Sequence, residues 1–133
     1  MKTEIISTTK AKLWLDKDSI IHLTWNPGAE ITIEDTREAK AAILQISQGF
    51  SAPLINDIRE VKSISQEART FVSIEGNSSL VSSAALLVGS LISRVIGNFF
   101  LGINKPPTPV SLFTDEEKAR MWLLTFMEDN KGH

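Results

Sequence analysis

The chain has no cysteine among its 133 residues. This absence excludes disulfide bonds, thiol nucleophiles and thiolate metal sites, and it fits a reducing cytoplasm. A length of 133 residues is that of one domain and is sufficient to bury a hydrophobic core without covalent cross-links. We therefore expect a single domain over residues 1–133, with flexible ends at residues 1–10 and 128–133.

The chain also lacks a dominant charge and a long uninterrupted apolar run. Its formal net charge is −2, which gives no electrostatic reason to bind nucleic acid or an anionic membrane surface. The most apolar stretch, residues 80–103, is interrupted by serines, Arg94 and Asn98, so it does not predict a membrane span. The first residues lack the apolar core of a signal peptide. These features predict a cytoplasmic protein that binds no nucleic acid.

Side chains suited to catalysis are few. The two histidines are His22, which we expect to be half-exposed in the middle of a strand, and His133, the last residue. The acidic residues at 34–35 and 115–117 fall in the first turns of predicted helices, where the helix dipole accounts for them. The sequence contains neither a glycine-rich phosphate loop nor a cluster with metal-ligand spacing. It therefore predicts no catalytic residue, no metal and no cofactor.

Apolar periodicity predicts alternating strands and helices. The five predicted strands cover residues 12–15, 20–25, 54–58, 84–88 and 110–113. The four predicted helices run from Thr32 to about residue 47, over residues 65–75, from Ser90 to about residue 101, and from Thr114 onwards. A polar turn at residues 16–19 makes the first two strands a hairpin. The order β-β-α-β-α-β-α-β-α predicts an α/β fold with a mixed sheet of about five strands and four helices.

The best candidate for a site is the segment of residues 57–69, which leads from a buried strand into a helix with serines at its start, Ser63 and Ser65. In open α/β sheets, ligands bind beyond the carboxyl ends of the strands. Asp57 and Arg59 leave their strand at this edge. The helices capped by Ser65, Ser90 and Thr114 would begin there, and Arg94 could reach it from one turn into its helix. Helix N-termini with serine hydroxyls suit an anion, a phosphoryl group or an acidic side chain of a partner.

The predicted third helix is too apolar for a helix packed on one side of a sheet, which needs an apolar stripe of only about 100°. Its apolar residues cover far more than one face: Leu91, Ile92, Val95, Ile96, Phe99, Phe100 and Leu101. Deep burial, a dimer interface and a lipid-accepting groove would each account for the surplus. We expect burial together with a homodimer interface, with Phe99 and Phe100 as the exposed residues.

Several segments resemble the STAS superfamily, the fold of bacterial anti-sigma-factor antagonists, which is shared with the larger CRAL-TRIO lipid-binding domains. The segments are NPGAEITIEDTREA, DIREVKSISQEAR, ALLVGSLISRVIGNFFLGINKPPTPVSLFTDEEKA and the terminal helix. Over about residues 13–126 the chain looks most like a group of small uncharacterised bacterial proteins of this type. The resemblance implies a non-enzymatic regulatory domain.

The resemblance also implies a phosphorylation site, with one departure from the family pattern. In typical antagonists the third strand ends in an acid, matched here by Asp57, and the next helix begins with an Asp-Ser pair whose serine is phosphorylated. With Ile64 matching the apolar residue before the pair, Ser65 falls at the acid and Gln66 at the serine. Gln66 cannot be phosphorylated, so phosphorylation would fall on Ser65 or Ser63, where a helix N-terminus favours the added charge.

The sequence is compatible with three functions. The first is a regulatory or binding domain that contacts a protein partner or a small anion through residues 57–69. The second is a carrier of lipid or another apolar ligand, implied by the CRAL-TRIO side of the resemblance and by the apolar third helix. The third is a small enzyme that uses Asp57, Ser65 and Arg94.

Overall fold

The computed structural model describes residues 4–75, 80–103 and 108–131. Its eight strands are β1 (Ile5–Ser7), β2 (Ala11–Leu15), β3 (Ile21–Trp25), β4 (Glu30–Ile31), β5 (Ala52–Asp57), β6 (Ser63–Ile64), β7 (Val81–Leu87) and β8 (Val110–Phe113). Its four helices are α1 (Ile33–Ser47), α2 (Gln66–Glu75), α3 (Leu91–Ile103) and α4 (Glu116–Lys131). The predicted alternation of strands and helices is therefore confirmed.

Six of the strands form one mixed sheet in the order β1-β2-β3-β5-β7-β8. β1, β2 and β3 pair antiparallel, and β3, β5, β7 and β8 pair parallel. The short strands β4 and β6 pair parallel as a separate ribbon. The sheet has one strand more than the five predicted, because Ile5–Ser7, within the stretch expected to be flexible, pairs with the outer side of β2. At the other end of the chain, α4 continues to Lys131.

The two faces of the sheet are covered unequally. Helices α1, α2 and α3 lie on one face, where Ile21, Leu23 and Trp25 of β3 join their apolar residues in one core cluster. Helix α4 covers the other face and packs Leu123 against a second cluster that contains Ile20. Because side chains alternate between the two faces of a strand, the alternation along β3 places Ile21, Leu23 and Trp25 together in the first cluster and His22 and Thr24 on the other face. Within the described residues, no helix is long and apolar enough to cross a membrane.

Three of the four helices, α1, α2 and α3, have the predicted residue as their N-cap. Thr32 caps α1 in a capping box with Asp35. Helix α4 does not begin after Thr114 as predicted, since the backbone N–H of Glu117 donates to Asp115 Oδ1 at 3.0 Å. Asp115 is therefore the cap, because aspartate caps a helix at least as well as threonine.

Helix α3 approaches the sheet closely at Gly97. A Cβ atom at this position would lie 2.9 Å from both Leu112 Cδ2 and Val88 Cγ1, closer than carbon atoms normally pack. Ser93, one turn earlier, is fully buried, and its hydroxyl donates to the carbonyl of Ser90 and accepts from the N–H of Gly89. The small residues Ser93 and Gly97 thus allow α3, whose Ile96 belongs to the core, to lie close to the sheet.

Candidate functional site

The predicted site lies at the carboxyl edge of the parallel strands. Asp57 ends β5 and pairs in register with Leu87 at the end of β7. The side chain of Arg59 lies over Gly89, since a Cβ atom there would be 3.5 Å from Arg59 Cβ and Cγ. Gly89 directly precedes Ser90, the cap of α3. The structure therefore brings Asp57, Arg59 and the start of α3 together.

Asp57 and Arg59 form a two-pronged ion pair at this edge. Arg59 Nη2 donates to Asp57 Oδ2 at 2.7 Å, and Arg59 Nε donates to Asp57 Oδ1 at 3.0 Å. The hydrogen bonds that Arg59 donates to Asp57 raise the pKa of Arg59, and the negative charges of Asp57, Glu116 and Glu60 add to this effect. An anion that binds Arg59 must therefore compete with a carboxylate that is already in place.

The serines at the edge differ in what their hydroxyls do. Ser65 is half-buried and caps α2, because its Oγ accepts from the N–H of Ala68 at 3.0 Å. Ser90 Oγ accepts from the N–H of Ser93 at 3.0 Å. Ser63 is exposed and belongs to β6, not to the first turn of α2 as expected, because its strand pairs with Glu30–Ile31.

Arg94 lies one turn into α3 with an exposed side chain. It lies on the surface close to the edge. Among the contacts that the structure describes, none joins Arg94 to Asp57 or Arg59. The three groups of the enzyme hypothesis are therefore not joined into one site by hydrogen bonds: Asp57 binds Arg59, and Ser65 binds a helix N–H.

A polar cluster that the sequence did not reveal lies at the start of β3. His22 is only 5% exposed, so the expectation of a half-exposed strand residue was wrong. Trp14, its partner across the hairpin, stacks on its ring at 4.9 Å between centroids. His22 Nε2 lies 2.8 Å from Asp16 Oδ2. From α4, Arg120 binds Asp16 and Asp18 with its two terminal nitrogens.

Asp16 is the centre of this cluster. Its Oδ1 accepts from the backbone N–H groups of Asp18 and Ile20 and thereby shapes the hairpin turn. Burial alone would raise the pKa of Asp16, but the hydrogen bonds from His22, from the two backbone N–H groups and from Arg120 outweigh it and hold the pKa below its ordinary value. The cluster joins the β2–β3 turn to α4, and its polar atoms satisfy one another. Among the described residues, no group of three or more acidic, histidine or cysteine side chains is arranged to hold a metal ion.

The exposed apolar side chains of α3 do not include Phe99, which was predicted to be exposed. Leu91 is 78% exposed, Val95 62% and Ile92 49%; we call these three side chains the outer face of α3. Phe99 is half-buried, with the guanidinium of Arg69 above its ring at 5.5 Å. The side chain of Phe100 lies outside the described residues.

Comparison with known structures identifies the fold. An uncharacterised protein of the DUF3478 family from Shewanella loihica PV-4, with a SpoIIAA-like fold, superposes with a TM-score of 0.55 over 92% of each chain at 15% identity. A protein of unknown function from Arthrobacter sp. FB24 is 34% identical over 89% of this chain and 95% of its own, with a TM-score of 0.35. None of the curated proteins matches the chain significantly.

The first of these structures confirms the STAS-like fold that the sequence motifs indicated. The family described as a domain of unknown function, DUF7793, matches residues 13–127. Because this match covers most of the 133 residues, the chain belongs to the DUF7793 family.

Proposed function

We propose that the chain is a single-domain, cytoplasmic, non-enzymatic regulatory protein that binds a protein partner through residues 57–69. The observation that carries this proposal is the state of the polar groups at the carboxyl edge. Asp57 is held by Arg59, and Ser65 and Ser90 are held by helix N–H groups. These groups are committed to the fold, so the edge suits a contact surface better than a reaction site.

A protein partner is favoured over a small free anion. A small anion would have to replace Asp57 at Arg59 or bind only the remaining donors of that side chain. A protein surface can instead contact Arg59 from its exposed side, together with the exposed side chains of Ser63 and Gln66, without breaking the ion pair. An acidic side chain of the partner beside Arg59 would fit the charge at this position.

The test is capture of the partner by the tagged full-length protein in its native cell. We expect Arg59→Ala to lose the cross-linked partner that wild type retains, while its melting temperature shows that it is folded. Arg37→Ala is the matched control, because Arg37 is also an exposed arginine with one acidic partner, Glu34, but lies on α1. Equal capture by wild type, Arg59→Ala and Arg37→Ala would contradict a contact at this edge.

Phosphorylation at the same edge is a proposed means of regulation. A phosphoryl group on Ser65 would lie at the N-terminus of α2 and could replace the present cap, and one on Ser63 would lie on the exposed side of β6. Intact-mass measurement of the protein from its native cell, for wild type, Ser65→Ala and Ser63→Ala, identifies the modified residue. A single unmodified mass for wild type under all growth conditions would remove this part of the proposal.

The lipid-carrier function is the second candidate and rests on α3. Its outer face carries apolar side chains that point away from the core. An enclosed lipid pocket would bury such side chains around the ligand, whereas an outward face fits a contact surface better. Native mass spectrometry after gentle purification separates the two, because a bound lipid would appear as added mass.

The homodimer predicted from the surplus apolar residues remains a prediction, and it would compete with a partner protein for the same surface. Phe99 packs beside Arg69, so the outer face of α3 is the surface that such a dimer would use. Light scattering of the full-length protein measures its mass in solution directly.

A further inference from the structure

The outer face of α3 is apolar although the fold does not need it to be. Leu91 and Val95 are one helical turn apart and lie side by side, with Ile92 next to them. The opposite side of the helix, with Ser93, Ile96 and Gly97, makes the buried contact with the sheet. A contiguous exposed apolar stripe of this kind marks an interaction site more often than a chance feature of the surface.

Two charged side chains border this stripe, one on α3 itself and one above Phe99, and both are arginines. Arg94 is the only charged residue of α3, and the helix contains no acidic residue. On the side towards α2, the guanidinium of Arg69 lies over the ring of Phe99. Two arginines therefore flank the apolar stripe, so a partner with acidic flanks would complement it.

We propose that the outer face of α3 binds an amphipathic helix of a partner protein, whose apolar ridge lies on Leu91, Ile92 and Val95 and whose acidic residues face Arg94 and Arg69. A helix with apolar residues at positions i, i+3 or i+4, and i+7 matches a stripe of this width. This inference rests on the proposed function, because it names the kind of partner that the protein binds. The outer face begins at Leu91, directly after the Ser90 cap, so one partner can contact this face and the carboxyl edge together.

The arginines also argue against a second copy as the occupant. A twofold dimer brings the same patch of both copies together. Such a dimer through the outer face would bring both arginines of each copy into one interface, and α3 supplies no acid to pair with them. An anionic membrane is disfavoured because the whole chain carries a net charge of −2. Two arginines are also fewer than the basic cluster through which proteins bind such a surface.

The test uses two synthetic helical peptides with the same leucine ridge, one with glutamates along both flanks and one with lysines. We expect the full-length protein to bind the glutamate peptide at least about tenfold more tightly than the lysine peptide, measured by fluorescence anisotropy. Leu91→Ser and Val95→Ser should each weaken this binding about tenfold or more, since each removes an apolar side chain from the centre of the contact. Arg94→Glu should reduce or reverse the preference between the peptides.

Met121→Ser is the matched control, because Met121 is also an exposed apolar side chain, 58% exposed, but lies on α4 across the sheet. Equal binding of both peptides, or equal weakening by Val95→Ser and Met121→Ser, would overturn the inference. So would a wild-type dimer in light scattering that Val95→Ser dissociates, or binding to anionic vesicles in place of the peptide. If Arg59→Ala still abolishes partner capture while the peptides fail, the proposed function stands and only this inference is lost.

Discussion

Replacement of Asp16 by asparagine tests the polar cluster at the start of β3. The substitution keeps the shape of the side chain and one oxygen for the backbone N–H groups of Asp18 and Ile20. It removes the negative charge that Arg120 and His22 share at Oδ2. Arg120 would then lie against the protein with only Asp18 as an acidic partner.

The expected cost follows from the burial of the pair. Removal of one partner of a buried ion pair costs about 3–5 kcal/mol, because the other charge is left uncompensated. The side chains of Asp16 and Arg120 are 15% and 16% exposed, so water still screens the remaining charge in part. We therefore expect Asp16→Asn to lower the free energy of unfolding by about 2–3 kcal/mol at neutral pH.

The pH dependence gives an independent check of the same reasoning. The pKa of Asp16 is lower in the folded protein than its ordinary value of 3.8. The ionised carboxylate therefore stabilises the fold at pH values above 3.8, and this stabilisation is lost as the pH falls through the lower pKa of the folded state. The difference between wild type and Asp16→Asn should be greatest at neutral pH and should shrink in this acidic range.

Urea unfolding followed by circular dichroism measures both effects. Asp18→Asn is the control, because Asp18 belongs to the same turn but its side chain is 34% exposed and binds Arg120 alone, so we expect a loss of at most about 1 kcal/mol. A loss below about 0.5 kcal/mol for Asp16→Asn, or a difference from wild type that does not shrink in acid, would refute the view that the charge of Asp16 stabilises the fold.

Two further predictions concern α3 and α2. Gly97→Ala adds a methyl group that meets Leu112 and Val88 at 2.9 Å. The cost of overpacking, about 1–3 kcal/mol in the free energy of unfolding, should exceed the gain of about 1 kcal/mol from the higher helix propensity of alanine. An unchanged or higher melting temperature would contradict this close contact. Ser65→Ala removes the cap of α2 and should cost about 1 kcal/mol in urea unfolding. Ser63→Ala alters an exposed side chain and should cost less than about 0.5 kcal/mol, so equal losses would argue against the capping role of Ser65.

The parts of the fold that depend on local patterns could be predicted from the sequence. Strand and helix order, the alternation of β3 and the caps Thr32, Ser65 and Ser90 each depend on residues within a few positions of one another. The sequence missed β1 because a strand of three residues, of which only Ile6 packs against the core, gives almost no periodic signal. It also missed the ribbon that contains Ser63, since that ribbon joins Glu30–Ile31 to a segment more than thirty positions away.

The polar cluster could be predicted only in part. The hairpin itself brings Trp14 and His22 near each other, but the predicted turn of residues 16–19 would place Trp14 opposite Ile21. The observed loop covers residues 16–20 and places Trp14 opposite His22, so the stacking did not follow from the predicted register. Arg120 is 104 positions from Asp16, and only the packing of α4 across the sheet brings them together. The ion pair of Asp57 with Arg59 was also missed, although the two residues are close in the sequence. Their pairing leaves no free carboxylate at this position, and it depends on side-chain geometry that no spacing rule supplies.

The position of α3 explains how an apolar outer face can coexist with a stable fold. Gly97 and Ser93 let the helix approach the sheet closely, and together with Ile96 they make its buried contact. Larger residues at these two positions would hold the helix farther from the sheet and loosen this contact. Leu91 and Val95 lie on the opposite side of the helix and take no part in the contact with the sheet. Their substitution can therefore alter binding without a cavity in the core.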